Sequence, residues 1–384
     1  MAPWLVRRLD NAALTDGDDN LSLTRHPPRL QQILEAVTTA MTRATALLLI
    51  AVLGSVAPGW TQAVKPAGPQ AVRVGGSSTV FPIIEEAIRG FRAASAANAK
   101  APIQLSETGT SDGFRQFCSG QLPIANASRP INARELKLCR QKGVQFIELP
   151  IAFDALTVAV NPRNDWARLI STKELARLWS RGAQGRITRW SQVNLDWPDR
   201  PIKLCAPGKD SGTYDYFNKA INGDASNARN DVVSSEDDTV LVKCVAGDPN
   251  AIGYFGYAYF NANRNRLRAL TVVGAKGAVA PSVASVQKET YSPLSRPLFI
   301  YLNDDSLRRN ELVRRFITYT VQNGLVLSEK AGYIPLPAST YRIVESKLYR
   351  HVLGTAFGGD LPVGQGLGNT LRRSLDSIKK PEFR

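Results

Sequence analysis

Residues 106–120 read SETGTSDGFRQFCSG, and their core, Gly109-Thr110-Ser111-Asp112-Gly113, fits the pattern Gly-x-Ser-x-Gly. Two chemistries use that pattern. On a strand–turn–helix elbow, Ser111 would attack a carbonyl, with a histidine as base and an oxyanion hole nearby. Alternatively, a loop of small hydroxyl residues entering a helix holds an anion without making or breaking a bond. The helix start leaves N–H groups unpaired and partly positive, and glycine lets the backbone come close. Two other loops share this make: Gly75-Gly76-Ser77-Ser78-Thr79-Val80 and Asp210-Ser211-Gly212-Thr213. A single such loop is most simply an N-cap, whereas three of one kind point to a shared tetrahedral anion. A fourth segment, PIANASRPI, places Arg129 after a run of small residues, and its guanidinium is a planar fork of donors suited to oxyanions. For the hydrolase alternative, the base would have to be His351, and no Gly-rich HGGG-type oxyanion segment accompanies it.

The elements around these loops alternate. AVRVGG reads as a strand, and FPIIEEAIRGFRAA as a helix with Phe81, Ile84, Ile88 and Phe91 on one face. PIQLSET is the next strand, and a helix begins near Asp112. VQFIELP and ALTVAVNP are apolar strands, and STKELARLWS opens a helix with Ser171 and Glu174 at capping-box spacing. RPIKLCAPG is a strand followed by the helix TYDYFNKAIN, AIGYFGYAYF and RPLFIYLN are later strands, and the helix NELVRRFITYTVQNG carries a Gly stop. This alternation predicts layered α/β architecture. Residues 64–70 and 358–384 read as tails, and no internal repeat is found.

Across 384 residues the formal net charge is +15, which suits an anionic partner or simply a solvated basic surface. The basic residues are scattered and no nucleic-acid-binding motif stands out, so no nucleic-acid partner is expected. From Met41 the chain reads MTRATALLLIAVLGSVAPGWTQA: one Arg, an apolar run, then Thr61-Gln62-Ala63 as a small-x-small cleavage site. That order is a secretory signal peptide over residues 41–63, and residues 1–40 become an extension ahead of a start at Met41. The charges of residues 1–63 cancel, so the exported part keeps the +15. Cys118, Cys139, Cys205 and Cys244 form no C-x-x-C pair and no His lies near them, which argues against zinc. An even count in an exported chain predicts two disulfides. Of the three pairings, the one local in sequence, Cys118–Cys139 with Cys205–Cys244, is favoured over the others and over free thiols.

The segments GGSSTVFPI, GTSDGFRQFCSG, IANASRPI, FDALTVAVNP, DSGTYDYF, SSEDDTVLV, GYFGYAYF and PLSRPLFIY occur in this order over residues 71–345. Together they resemble the PstS/SphX-type phosphate-binding proteins of bacterial ABC phosphate transporters. The resemblance implies an α/β, two-lobed periplasmic-binding-protein fold of type II, with the ligand in a cleft between lobes joined by two crossing segments. Residues 71–157 plus 297–350 would form one lobe, 158–296 the other, and 351–384 a C-terminal tail. It implies phosphate capture in the periplasm by a soluble monomer, delivery to a membrane permease, no cofactor and no catalysis. Sulfate or molybdate binding is the alternative within the same fold.

Carried over by position, the phosphate contacts would be Ser78, Thr79 and the Val80 amide, Thr110 and Ser111, and Ser211, Gly212 and Thr213. This chain departs from the best-known members at two places. Arg129 stands where they carry an Asp, and Pro207 where they carry an Arg. Arg129 is therefore expected to neutralise the ligand from the opposite side of the cleft. The lost Asp would have accepted the phosphate proton that sulfate lacks, and a site that leaves a polar group unpaired rejects an analogue strongly. Asp210, Asp112, Asp154 and Asp237 are the candidates to replace it.

Overall fold

The apolar, β-branched runs form fourteen strands in a computed structural model that describes residues 71–363, with 368, 369 and 372. The leader, its cleavage site, residues 1–40, residues 64–70 and most of 364–384 lie outside the described residues. In chain order the strands are β1 (Val72–Gly76), β2 (Ile103–Glu107), β3 (Ile124–Ala127), β4 (Phe146–Ala155), β5 (Thr157–Val160), β6 (Leu169–Ser171) and β7 (Lys203–Pro207). They continue as β8 (Val233–Ser235), β9 (Ala251–Phe255), β10 (Arg268–Ala269), β11 (Thr271–Gly274), β12 (Gly277–Val279), β13 (Ser295–Asn303) and β14 (Ile334–Pro335).

One sheet has the order β14-β4-β13-β3-β1-β2, a second β10-β5-β9-β7-β8, and a small third β12-β11-β6. In the first, β1 runs parallel to β2 and β3. In the second, β7 runs parallel to β8 and β9. The two large sheets are the cores of the two lobes of a mixed α/β fold. The chain passes from one to the other at Leu156, between β4 and β5, and returns into β13. These two crossings hold each other: Leu156 N donates to Leu294 O at 2.8 Å, and Ser295 pairs with Ala155.

Helices cover the sheets: α1 (Phe81–Ala93), α2 (Thr110–Cys118), α3 (Ala133–Gln141), α4 (Thr172–Trp179), α5 (Gly212–Asn222) and α6 (Asp238–Ala246). Then follow α7 (Tyr257–Ala262), α8 (Val283–Gln287), α9 (Asp304–Arg309), α10 (Glu311–Gln322), α11 (Gly324–Lys330) and α12 (Ala338–Tyr349). α1 buries Ile84, Ile88 and Phe91 as its spacing predicts, while Phe81 at its first position is only half-buried, and α4 opens on the expected Ser171–Glu174 capping box. The two disulfides take the sequence-local pairing. Cys118–Cys139 ties the end of α2 to α3 above a cluster of Phe114, Phe117, Phe146, Phe299, Tyr301 and Phe357.

Three readings change. AIGYFGYAYF is only half a strand: Gly256 caps α7, and the Tyr257 N–H bonds to Asp154 instead of continuing a ladder. Gly324 does not end a helix but begins α11, where a Cβ would stand 2.5 Å from the Tyr341 ring. The stretch after α12 is no loose tail, because Val352, Ala356 and Phe357 are buried and His351 bonds to Asp304.

The Cys118–Cys139 bridge spans 21 residues and the Cys205–Cys244 bridge 39. Closing loops of that length stabilises by about 3 kcal/mol or somewhat more each in the chain-entropy model. A reductant is therefore expected to lower the thermal midpoint by roughly 5–10 °C, and Cys118→Ser/Cys139→Ser to reproduce part of the drop. Scanning calorimetry with and without dithiothreitol measures it; an unchanged midpoint means that the bridges do not form in solution.

Candidate anion-binding site

The three hydroxyl loops sit at the carboxyl ends of parallel strands, the position at which open α/β sheets bind ligands. The first leaves β1 through Gly76 at φ +123°, where a Cβ would meet the Asn126 carbonyl at 2.3 Å. Ser77, Ser78, Thr79 and Val80 follow, all buried. The Val80 amide, expected as a ligand donor, is already spent in the turn on Ser77 O at 3.2 Å. The amides of Ser78 and Thr79 have no protein acceptor among the described residues.

The second loop explains both glycines of the Gly-x-Ser-x-Gly pattern by packing. Gly109, the N-cap of α2 at φ +82°, lies against the other lobe, where a Cβ would stand 2.6 Å from Glu236 Oε2 and 2.7 Å from Asp210 O. At Gly113 a Cβ would stand 2.6 Å from Gly76 Cα, so α2 can rest on the end of β1 only without a side chain there. Ser111 is not set against His351. Its Oγ accepts from Arg129 Nη2 at 2.8 Å, and His351 is bonded to Asp304 instead.

The third loop, capped by Ser211 whose Oγ accepts from Thr213 N, meets the first two across the seam between lobes. Thr79 Oγ1 and Thr213 Oγ1 are 2.9 Å apart. A Cβ on Gly212 would stand 2.6 Å from Ser128 Oγ and 2.7 Å from Thr110 Oγ1. Thr110 and Ser128 share a hydrogen bond of 3.2 Å. The predicted residues Ser78, Thr79, Thr110, Ser111, Ser211, Gly212 and Thr213 thus gather along one seam, with Ser128 as an addition.

The charge at the centre of this seam comes from a residue that sequence reasoning passed over. Arg296, near the start of β13, is 0% exposed. It donates to Asp154 Oδ2 at 2.9 Å, to Gly212 O at 3.1 Å and to Thr213 Oγ1 at 2.7 Å, and it lies 3.5 Å from Thr79 Oγ1. Its signal was a charged residue inside the apolar run SRPLFIY. Arg129 takes a different position from the one expected. Nε donates to Asp215, Nη1 to Glu135 and Pro130 O, and Nη2 to Glu135 and Ser111. A guanidinium has five N–H donors, and all five are used. Burial opposes its charge, but Glu135 and then Asp215 outweigh that and hold Arg129 above its ordinary range.

Of the four carboxylates weighed as proton acceptors, Asp210 and Asp112 pair with Arg115 near the surface and Asp237 caps α6. Asp154 is buried but committed to Arg296 and the Tyr257 amide. The neighbour of Asp237 is the one that faces inward. Asp238, fully buried, lies 3.5 Å from Ser78 Oγ. Burial, and then the charges of Asp154 and Glu107, hold its carboxyl well above the ordinary carboxylate range.

Two acids along the same seam are also raised. Burial, with Asp237 adding, pushes Glu107 up to about 7. Burial pushes Glu236 up to about 7 against a hydrogen bond from the Asp210 amide, with the charges of Asp210, Asp215 and Asp112 adding. A carboxyl raised in the folded state costs stability when it ionises. That cost therefore grows as pH rises from the ordinary 4.5 to about 7 and levels off above. Glu236→Gln is expected to leave the thermal midpoint near wild type at about pH 5 and to raise it by a few degrees at about pH 8. Melting curves at both pH values decide this, and an equal midpoint at the higher pH contradicts it.

Comparison with known proteins places the fold and the family. The PBP superfamily domain is matched over residues 61–323. The protein SphX of Synechocystis is 43% identical over 304 residues, covering 79% of this chain and 90% of that protein. The phosphate-binding protein PstS of Staphylococcus aureus is 34% identical over 269 residues, covering 70% and 79%. A crystal structure of a possible phosphate binding protein from Planctomyces limnophilus, 35% identical, covers 73% of this chain and 98% of its own, with a TM-score of 0.55. A phosphate-bound substrate-binding protein from Clostridium perfringens, 24% identical, shares the fold with a TM-score of 0.58. Matched over most of its length and 43% identical to a SphX protein, the chain belongs to the PBP superfamily, in the branch of the PstS and SphX proteins.

Proposed function

We propose that this protein binds inorganic phosphate between its lobes and hands it to the membrane permease of an ABC transporter. One observation carries the reading: three hydroxyl loops from two lobes converge on one seam, two of them, through Thr79 and Thr213 2.9 Å apart, at the buried guanidinium of Arg296. Hydroxyls and amides would supply donors from all sides to a tetrahedral anion. Ser78, Thr79, Thr110, Ser111, Ser211, Gly212 and Thr213 are the contacts, joined by Ser128. Arg296, its charge matched by Asp154, is the guanidinium at the centre in place of Arg129, whose part is to hold Ser111 in place. Asp238, with a raised affinity for protons, is the carboxyl that shares the ligand proton.

The lobes are residues 71–157 plus 297–350 and residues 158–296, and their closing about the crossings at Leu156 and Leu294 traps the ligand. The function needs no turnover. Among the described residues no helix is long and apolar enough to cross a membrane. We place the exported chain in the periplasm as a monomer, with Met41 as its start and residues 41–63 as the signal peptide. The names of the PstS and SphX relatives support the ligand.

Calorimetry with phosphate, sulfate and arsenate tests this on the exported chain. Phosphate is expected to release binding heat and to raise the thermal midpoint; neither effect would end the proposal. Arg296→Lys keeps a charge but loses the fork that spans Asp154, Gly212 and Thr213, and is expected to weaken phosphate binding at least about tenfold. Unchanged affinity would remove Arg296 from the site. Asp238→Asn is expected to weaken phosphate more than sulfate, by about tenfold in the ratio of their affinities. A ratio that does not move assigns the proton to another group.

A further inference from the structure

A cleft of about 1580 Å³ opens beside the seam, walled by both lobes and by residues 359–363. Four cationic side chains line it, Arg134, Arg181, Lys209 and Lys219, against the acids Asp224 and Asp360. Arg134, Lys209 and Lys219 make no ion pair among the described residues, and all four cations are exposed. The floor of the cleft includes Arg129 and Asp215. Arg129 therefore has two sides. One faces the cleft. The other reaches Ser111 Oγ, and a Cβ on Gly212 would lie 3.1 Å from its Cγ.

Arg129 comes from the first lobe and Asp215 from α5 of the second, and they meet at 2.7 Å with Arg129 buried and the Asp215 side chain 20% exposed. Glu135, in the same lobe as Arg129, grips the guanidinium through both oxygens whatever Asp215 does. Only the Asp215 bond spans the lobes, so it can open and close while Arg129 stays compensated.

We propose that the Arg129–Asp215 pair is a gate between a cationic vestibule and the hydroxyl site: an anion collects in the vestibule, passes when the pair parts, and is retained when it re-forms. Asp215 is a positioning residue in this scheme and does not touch the bound anion. The inference rests on the phosphate reading above. A closure contact absent from the open form acts on residence time, whereas exposed charges that attract a ligand act on its arrival.

Stopped-flow and phosphate-release kinetics on the exported chain separate the two. Asp215→Asn is expected to raise the rate of phosphate loss about tenfold, the loss of one partly buried ion pair, and Asp215→Glu to restore most of the retention. Arg134→Ala/Lys209→Ala is expected to slow association several-fold at low salt, to leave the rate of loss unchanged, and to differ little from wild type at high salt. If wild type binds no phosphate, the functional reading fails. If wild type binds and Asp215→Asn, with a thermal midpoint near wild type, releases phosphate at the wild-type rate, the gate is overturned. Should Asp215→Asn not fold, a salt-insensitive association rate in Arg134→Ala/Lys209→Ala equal to that of wild type overturns it instead.

Discussion

A guanidinium taken fully out of water is costly, and the seam between the lobes is organised around one. Arg296 keeps its charge at zero exposure because Asp154 meets it and because Gly212 and Thr213, at the start of α5, supply acceptors. Each of these partners constrains something else. Asp154 accepts the Tyr257 amide through its second oxygen and so sets where α7 begins. Gly212 and Thr213 open α5. One buried charge thus fixes two helix starts and the approach of two sheets, and parting the seam at that point takes from Arg296 its acceptors on Gly212 and Thr213 and leaves it Asp154. Such pairs seldom stabilise a fold relative to apolar packing; what this one fixes is the geometry of the seam.

Close approach is the second constraint, and it falls on glycine. At Gly76 and Gly109 the backbone has positive φ and a neighbouring chain atom sits where a Cβ would be, while Gly113 must admit Gly76 itself. The letters of Gly-x-Ser-x-Gly therefore describe a tight strand–turn–helix junction and not a reaction. A hydrolase elbow needs the same junction to expose its serine. Here the same geometry places α2 against β1, and the serine is turned to an arginine. A motif of this kind reports backbone shape, and its chemistry is decided by what lies opposite.

That distinction separates what was legible from what was not. The hydroxyl loops, the first and fourth helices and the disulfide pairing depend on residues close in sequence, and each was readable from spacing. Arg296 was not, since it reaches the site only because β13 returns after the second lobe to pair with β4, placing it opposite Asp154. Asp237 and Asp238 differ by one place in a helix start. One caps α6 outward and the other points inward, a choice set by packing against Ser78 from the first lobe. The sequence setting of Arg129 marks it out, but Glu135 and Asp215 converge on it from two helices, and local pattern says nothing about a donor count. The Gly256 break in AIGYFGYAYF likewise depends on Asp154, about a hundred residues earlier.

The charge of the whole chain has little to do with the charge of the site. The net +15 is a sum over the whole sequence. Inside, Arg296 is matched by Asp154, and Arg129 by Glu135 and Asp215. These buried groups sum to no positive excess. An anion seated there would be held by dipoles, the amides of Ser78 and Thr79, the starts of α2 and α5 and the ring of hydroxyls, and not by a free counter-charge. Dipoles fixed by the backbone are directional, and they favour an anion of one size with its oxygens in fixed directions. A free lysine or arginine would attract every anion that reached it. The cationic side chains stand outside, in the vestibule, where indiscriminate attraction raises the rate of encounter without deciding what is kept.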